Sequence, residues 1–262
     1  MTPWKRVSAF LGGLLIGLLG GLIGLGGAEF RLPLLLGGFG FAPLEAVILN
    51  KAMSLIVVAS ALPFRAVSVP WDAVSTHWWV VANLLAGSLL GAWLGASWAT
   101  LLAPARLRRI IAVLLVAIAA VLLFAHHPSA STSAGAVTPL RVVEGVIAGL
   151  VIGAIAAFLG VAGGELLIPT IVLLFGAEVK LAGSLSLCVS LPTMLVGFAR
   201  YSRDRSFAVL GSNREFVVWM ASGSLAGTFL GGRLLGVVPA ALILPALALL
   251  LLVSAVKVWR HP

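Results

Sequence analysis

Gly24-Leu25-Gly26-Gly27-Ala28-Glu29-Phe30-Arg31-Leu32-Pro33 sets glycines, a carboxylate, a guanidinium and a proline inside a region otherwise apolar enough to lie in a bilayer. A second copy, Gly160-Val161-Ala162-Gly163-Gly164-Glu165-Leu166-Leu167-Ile168-Pro169, follows at an offset of 136 residues. The offset holds well outside the motif. Gly13, Gly17, Phe39, Gly40, Ala46 and Ser54 match Gly149, Gly153, Phe175, Gly176, Ala182 and Ser190, and Gly87-Ser88-Leu89 with Gly91 and Gly95 matches Gly223-Ser224-Leu225 with Gly227 and Gly231. Apolar composition produces chance leucine matches, but not a shared Glu, a shared Pro and a shared glycine ladder at one offset. The chain is therefore an internal duplication, and that governs every further reading of its fold.

Of the 262 residues, 61% are apolar and 10% charged, with mean hydropathy +1.17. A soluble globule carries about a quarter charged residues, so the composition specifies a polytopic membrane protein. The net charge of +9 sits in short gaps between apolar segments, where it orients the chain in the membrane, and no nucleic-acid partner is expected. Cys188 is the single cysteine and says nothing about redox compartment. The run after Lys5-Arg6 resembles a signal peptide, yet its counterpart from Val143 lies mid-chain and must be a mature helix.

Spans of about 20 apolar residues are expected at Val7 to Leu25, Leu44 to Phe64, Thr76 to Ala99, Ile110 to Phe124, Val142 to Val161, Val179 to Ala199, Phe216 to Leu235 and Val237 to Val258. Two shorter pieces, Leu32 to Phe41 and Leu167 to Phe175, are half-helices of about 15 Å. The placement of arginine and lysine decides whether they return the chain across the membrane. If they do, Lys5, Arg6, Arg106, Arg108, Arg109, Arg200, Arg203, Arg205, Arg214, Lys257 and Arg260 share one side. The expectation is an all-α fold of two inverted repeats with five membrane segments each, comprising eight long helices and two half-helices broken at the glycine motifs. Residues 1–125 form the first repeat, 126–140 an external linker and 141–262 the second repeat. Both termini are expected to be cytoplasmic. Tryptophans near the segment ends read as aromatic belts, and the glycine ladders as close helix–helix faces.

Irregular backbone at membrane depth is tolerated only where protein or a water-filled cavity covers it. Two breaks related by an inverted repeat would meet near the midplane, their glycines at φ > 0 exposing N–H groups and their half-helices aiming positive N-termini at one cavity. Such a site suits a small anion. The candidate contacts are Gly26, Gly27, Ala28, Arg31, Asn50, Lys51, Ser54, Gly163, Gly164, Ser186 and Ser190, with Thr193 extending the second polar stripe. Arg31 and Lys51 face Leu167 and Leu187 in the other copy, so they break the symmetry. They are read either as substrate-binding cations or as side chains that snorkel to the surface or neutralise Glu29. Glu29 and Glu165 are either N-terminal caps of half-helices beginning at Pro33 and Pro169, or carboxyls in a poorly hydrated cavity that carry a coupling proton. The serines and Asn50 have a plainer reading as interhelical hydrogen bonds.

The twice-repeated Gly-x-Gly-Gly-x-x-x-x-x-Pro pattern, each copy followed by an Ala and a Ser on the next helix (Ala46, Ser54; Ala182, Ser190), resembles the sulfite exporter TauE/SafE family of prokaryotic membrane permeases over essentially the whole chain. The second copy carries Ala162 at one glycine position. The resemblance implies secondary transport of sulfite, a sulfonate such as sulfoacetate, or a related small organic anion. No enzymatic activity, cofactor or metal is expected. The partners expected are a small anionic substrate and the lipid bilayer, with a homo-oligomer left open. Two rival readings use the same residues. An intramembrane enzyme would employ Glu29 and Glu165 as an acid/base pair, but the chain has no His-Glu-x-x-His and its adjacent histidines lie in the linker. A cation channel or proton-coupled importer would use the carboxylates to attract positive charge, against which Arg31, Lys51 and the helix N-termini argue.

Overall fold

The computed structural model describes residues 2–23, 27–68, 71–124, 138–233 and 240–260. Gly24, Leu25 and Gly26 of the first motif, and positions 126–137 of the linker, lie outside them. The described residues are helical with no strand. In chain order they form α1 (Pro3–Ile23), α2 (Ala28–Gly37), α3 (Pro43–Ser68), α4 (Trp71–Thr76), α5 (Trp78–Leu101), α6 (Pro104–Phe124), α7 (Pro139–Leu159), α8 (Gly164–Phe175), α9 (Val179–Tyr201), α10 (Ala208–Ser212), α11 (Arg214–Arg233) and α12 (Ala240–Arg260). Four of these helices open on a proline, whose fixed φ and missing N–H cost nothing at the first helical position. Glycines at φ 66° and 68° end α7 and α8, at Gly160 and Gly176.

Within the described residues, α3, α5, α7 and α9 contain stretches long and apolar enough to cross a membrane. Leu15, Leu90, Leu94, Leu173 and Val253 are large apolar side chains left exposed on helix flanks, which a lipid solvent accommodates. The chain is an all-α, multi-pass membrane protein.

The two halves are interlocked. Gly13 and Gly17 of α1 lie against the backbone of Met220 and Ser224 on α11, while Gly149 and Gly153 of α7 lie against Leu84 and Ser88 on α5. The glycine ladders complete both interfaces. A Cβ on Gly223, Gly227 or Gly231 would strike the carbonyls of Phe10, Leu14 and Leu18, and one on Gly87, Gly91 or Gly95 those of Val146, Leu150 and Ala154. Every partner in one set is the 136-residue counterpart of a partner in the other. The first helix of each repeat thus packs, in parallel and backbone to backbone, on the fourth segment of the opposite repeat, which is how small residues drive association where lipid supplies no hydrophobic force.

The packing also shows that each half-helix returns the chain to its starting face. Arg6, near the start of α1, pairs with Glu215, near the start of α11, at 3.1 Å. Phe39, just past the end of α2, sits 4.8 Å from the Phe216 ring, so α2 has brought the chain back. On that same face the Arg109 guanidinium lies 5.9 Å from the ring of Trp259 near the end of α12, and Arg200 of α9 donates to Ser97 of α5 at 2.7 Å. The opposite face repeats the pattern, with the Phe175 ring at the end of α8 set edge-to-face against Trp79, centroids 5.2 Å apart. An odd number of crossings per repeat follows, and hence the inverted relation.

The half-helices start earlier than the sequence suggests. They begin at Ala28 and Gly164, not at Leu32 and Leu167, so Glu29 and Glu165 occupy first turns while Pro33 and Pro169 lie inside the helices. Each proline therefore withdraws the N–H that would have bonded the carbonyl of the glutamate four residues before it.

Candidate functional site

Gly27 and Gly163 hold matched left-handed conformations, φ 69° and 81°, immediately before α2 and α8. This geometry is open to glycine at little cost, and it lets each half-helix start directly at the break. Glu29 and Glu165, in the first turns of the two half-helices, are near enough to act on one another electrostatically. Glu29 is fully buried and neither of its carboxyl oxygens has a hydrogen-bond partner; one oxygen of Glu165 is likewise unpartnered.

Arg31 is also fully buried, which overturns the expectation that it snorkels to the surface. Its guanidinium joins three helices, donating through Nη1 to Asn50 Oδ1 (3.4 Å) and Ser54 Oγ (3.2 Å) on α3, and through Nη2 to Ser224 Oγ (3.1 Å) on α11. Nε has no partner. All three acceptors are neutral, and among the described residues no carboxylate lies within ion-pair distance of Arg31. The charge facing it is that of the nearby Glu29 on the same helix, which acts without direct contact, so the guanidinium is held by neutral acceptors and keeps one unanswered donor.

Lys51 is fully buried as well and does not snorkel. Its Nζ donates to the Ala156 carbonyl at 3.4 Å, in the last turn of α7. Two further side chains serve the same helix end: Asn50 Nδ2 donates to Leu159 O at 2.9 Å, and the Tyr201 hydroxyl donates to Ala157 O at 3.0 Å. A buried helix C-terminus leaves carbonyls that need partners and carries partial negative charge. Lys51, Asn50 and Tyr201 supply both needs. Asn50 also donates to Ala28 O at 3.0 Å, so one amide ties the first break to the helix that leads into the second.

The second repeat is quieter. Ser186 Oγ bonds its own helix at Gly183 O, and Ser190 Oγ is buried without a partner. Thr193 meets Ser88 of α5 at 2.7 Å, where the pseudo-equivalent Ser224 meets Arg31. The structure thus brings Gly27, Ala28, Glu29, Arg31, Asn50, Ser54, Gly163, Gly164 and Glu165 around the two breaks, and places Lys51 at the end of α7. Sequence reasoning missed Ser224 and Tyr201. The duplicated Gly-Ser-Leu was the available signal for Ser224; nothing local marks Tyr201. Replacing Tyr201 by Phe is expected to lower the stability of the folded protein by about 1 kcal/mol or less, read as a shift in its unfolding midpoint in detergent, with transport rates unchanged.

Paired inverted repeats, each broken at a glycine motif, with a buried guanidinium beside one break, define a polytopic all-α membrane protein. Comparison with protein families agrees: the model described as Sulfite exporter TauE/SafE matches residues 9–258. The chain belongs to that family, which makes it a membrane transporter for sulfur-related anions in general. No curated protein and no solved structure was found to match it.

Proposed function

We propose that the protein is a secondary transporter of a small sulfur oxyanion or organosulfonate, with its site between the two repeats and Glu29 and Glu165 carrying a coupling proton. The observation that carries this reading is the Arg31 guanidinium, fully buried, hydrogen bonded only to neutral groups and retaining an unpartnered Nε. An oxyanion supplies a counter-charge in direct contact and the missing acceptor, and a guanidinium matches its geometry. The facing N-termini of α2 and α8 add positive potential to the same place. Two carboxyls in contact in a dry interior are the natural seat of an exchangeable proton. Lys51 has a structural task at the end of α7, and the substrate contact falls to Arg31 alone. The cluster of basic residues shared by the starts of α1, α6 and α11 and the ends of α9 and α12 favours a cytoplasmic location for that face, in a prokaryotic inner membrane.

The test is flux of labelled sulfite into proteoliposomes with and without an imposed pH gradient. Native protein is expected to accelerate with the gradient, whereas the folded Glu29→Gln/Glu165→Gln variant keeps a basal flux that no longer responds to it. Absence of sulfite and sulfonate flux in folded native protein rules the reading out.

A further inference from the structure

We infer that the site takes its substrate as a monoanion together with one proton, so that each transport event moves no net charge. The inference rests on the transporter reading above and deepens it from the charges around the breaks. Glu29 faces Glu165 from α8 and Arg31 from its own helix. Among the described residues, the other elements packed on α2 and α8 add no further charge at that point. Lys51 of α3 is held on the Ala156 carbonyl, where the end of α7 supplies compensating negative potential. Lys257 of α12 lies at the far end of α2, beside Gly37. The charged groups of α1, α6, α7 and α9, including Arg6, Arg109, Arg141 and Arg200, sit near the ends of those helices.

Among the described residues, what remains beside the breaks is one guanidinium and one carboxyl pair. Two carboxylates in contact repel strongly where water is excluded, so the pair holds at most one negative charge there. In the empty site that single charge offsets Arg31, and the interior is neutral. A monoanion arriving at Arg31 supplies the compensation itself, and neutrality then requires that the carboxyl pair take up one proton. A dianion would leave one uncompensated negative charge even after the pair is fully protonated. The orphaned atoms fit this sequence: the Arg31 Nε has a donor to give to the anion, and the unpartnered Glu29 oxygens have positions open to a proton. Substrates such as methanesulfonate satisfy the charge rule, and a dianionic sulfonate such as sulfoacetate does not.

The experiment uses the full-length protein in proteoliposomes, with the potential clamped by potassium and valinomycin and the pH gradient set independently. Labelled methanesulfonate uptake is expected to follow the pH gradient and to be unchanged by an imposed potential. Sulfoacetate is expected to enter more than about tenfold more slowly, the cost of an extra buried charge being several kcal/mol. In Glu29→Gln/Glu165→Gln, uptake of methanesulfonate is expected to become potential-sensitive and indifferent to pH. The measurement on native protein needs no variant: uptake driven by potential, or faster entry of the dianion, overturns the inference while leaving the transporter reading intact. No uptake of either anion overturns both.

Discussion

Arg31→Ala is expected to abolish concentrative anion uptake while the protein still folds. Its guanidinium is a buried cation with no carboxylate in direct contact and a donor left open to the anion, and truncating one partner of a buried, hydrogen-bonded charge pair costs about 2–5 kcal/mol. At about 1.4 kcal/mol per tenfold, apparent affinity for the anion falls roughly thirty- to several-thousand-fold. Arg31→Lys keeps the charge but loses the fork that spans α3 and α11, and it is expected to fall between Ala and native. The informative companion is Lys51→Met. Because Lys51 serves the carbonyl end of α7, its loss is expected to lower the unfolding midpoint with little change in substrate KM. A Lys51 variant that folds normally but loses affinity as Arg31→Ala does would return Lys51 to the substrate site. A cation permease would respond in the opposite sense, since removing Arg31 would increase cation flux.

The glycine ladders carry the other large effect. Gly91→Val and Gly227→Val occupy counterpart positions, where a Cβ meets the carbonyls of Leu150 and Leu14. Overfilling such a contact costs about 1–3 kcal/mol, and here the obstacle is backbone, which has less freedom to give way than a side chain. The two substitutions are expected to destabilise by equal amounts, and the double variant to fail to accumulate as folded protein. Gly211, with nothing near its Cβ position, is the control: Gly211→Ala leaves the unfolding midpoint unchanged. Unequal costs at Gly91 and Gly227, measured by denaturant titration in detergent, would contradict the duplicated interface.

Much of this architecture was legible because membrane folds leave so few backbone options. Hydropathy located the long helices, the constant offset revealed the duplication, and arginine placement settled the return of the half-helices. The starts of those half-helices were misjudged because proline was taken as the first-turn marker. In both copies a left-handed glycine, Gly27 or Gly163, stands immediately before the half-helix, and the proline is tolerated further in. Within the site, burial separated residues that the sequence treats alike. Arg31 and Lys51 are both unmatched cations, yet one bridges neutral hydroxyls and the other caps a helix. That distinction depends on which helix end lies beside α3, a long-range fact with no local trace. Tyr201 was unreadable for the same reason, because its partner Ala157 lies across the fold on α7.

The exchange of helices between repeats has a consequence for synthesis. α5 and α7 are separated only by α6 and the linker, so that pair can close while the ribosome is still at work. α1, by contrast, is made first and its partner begins at Arg214. At roughly 5–20 residues per second, the glycine face of α1 waits on the order of ten to forty seconds in the lipid before α11 emerges to cover it. The first half of the chain therefore cannot mature as a unit, and release of the nascent protein before α11 inserts leaves an unpaired helix for quality-control proteases to find.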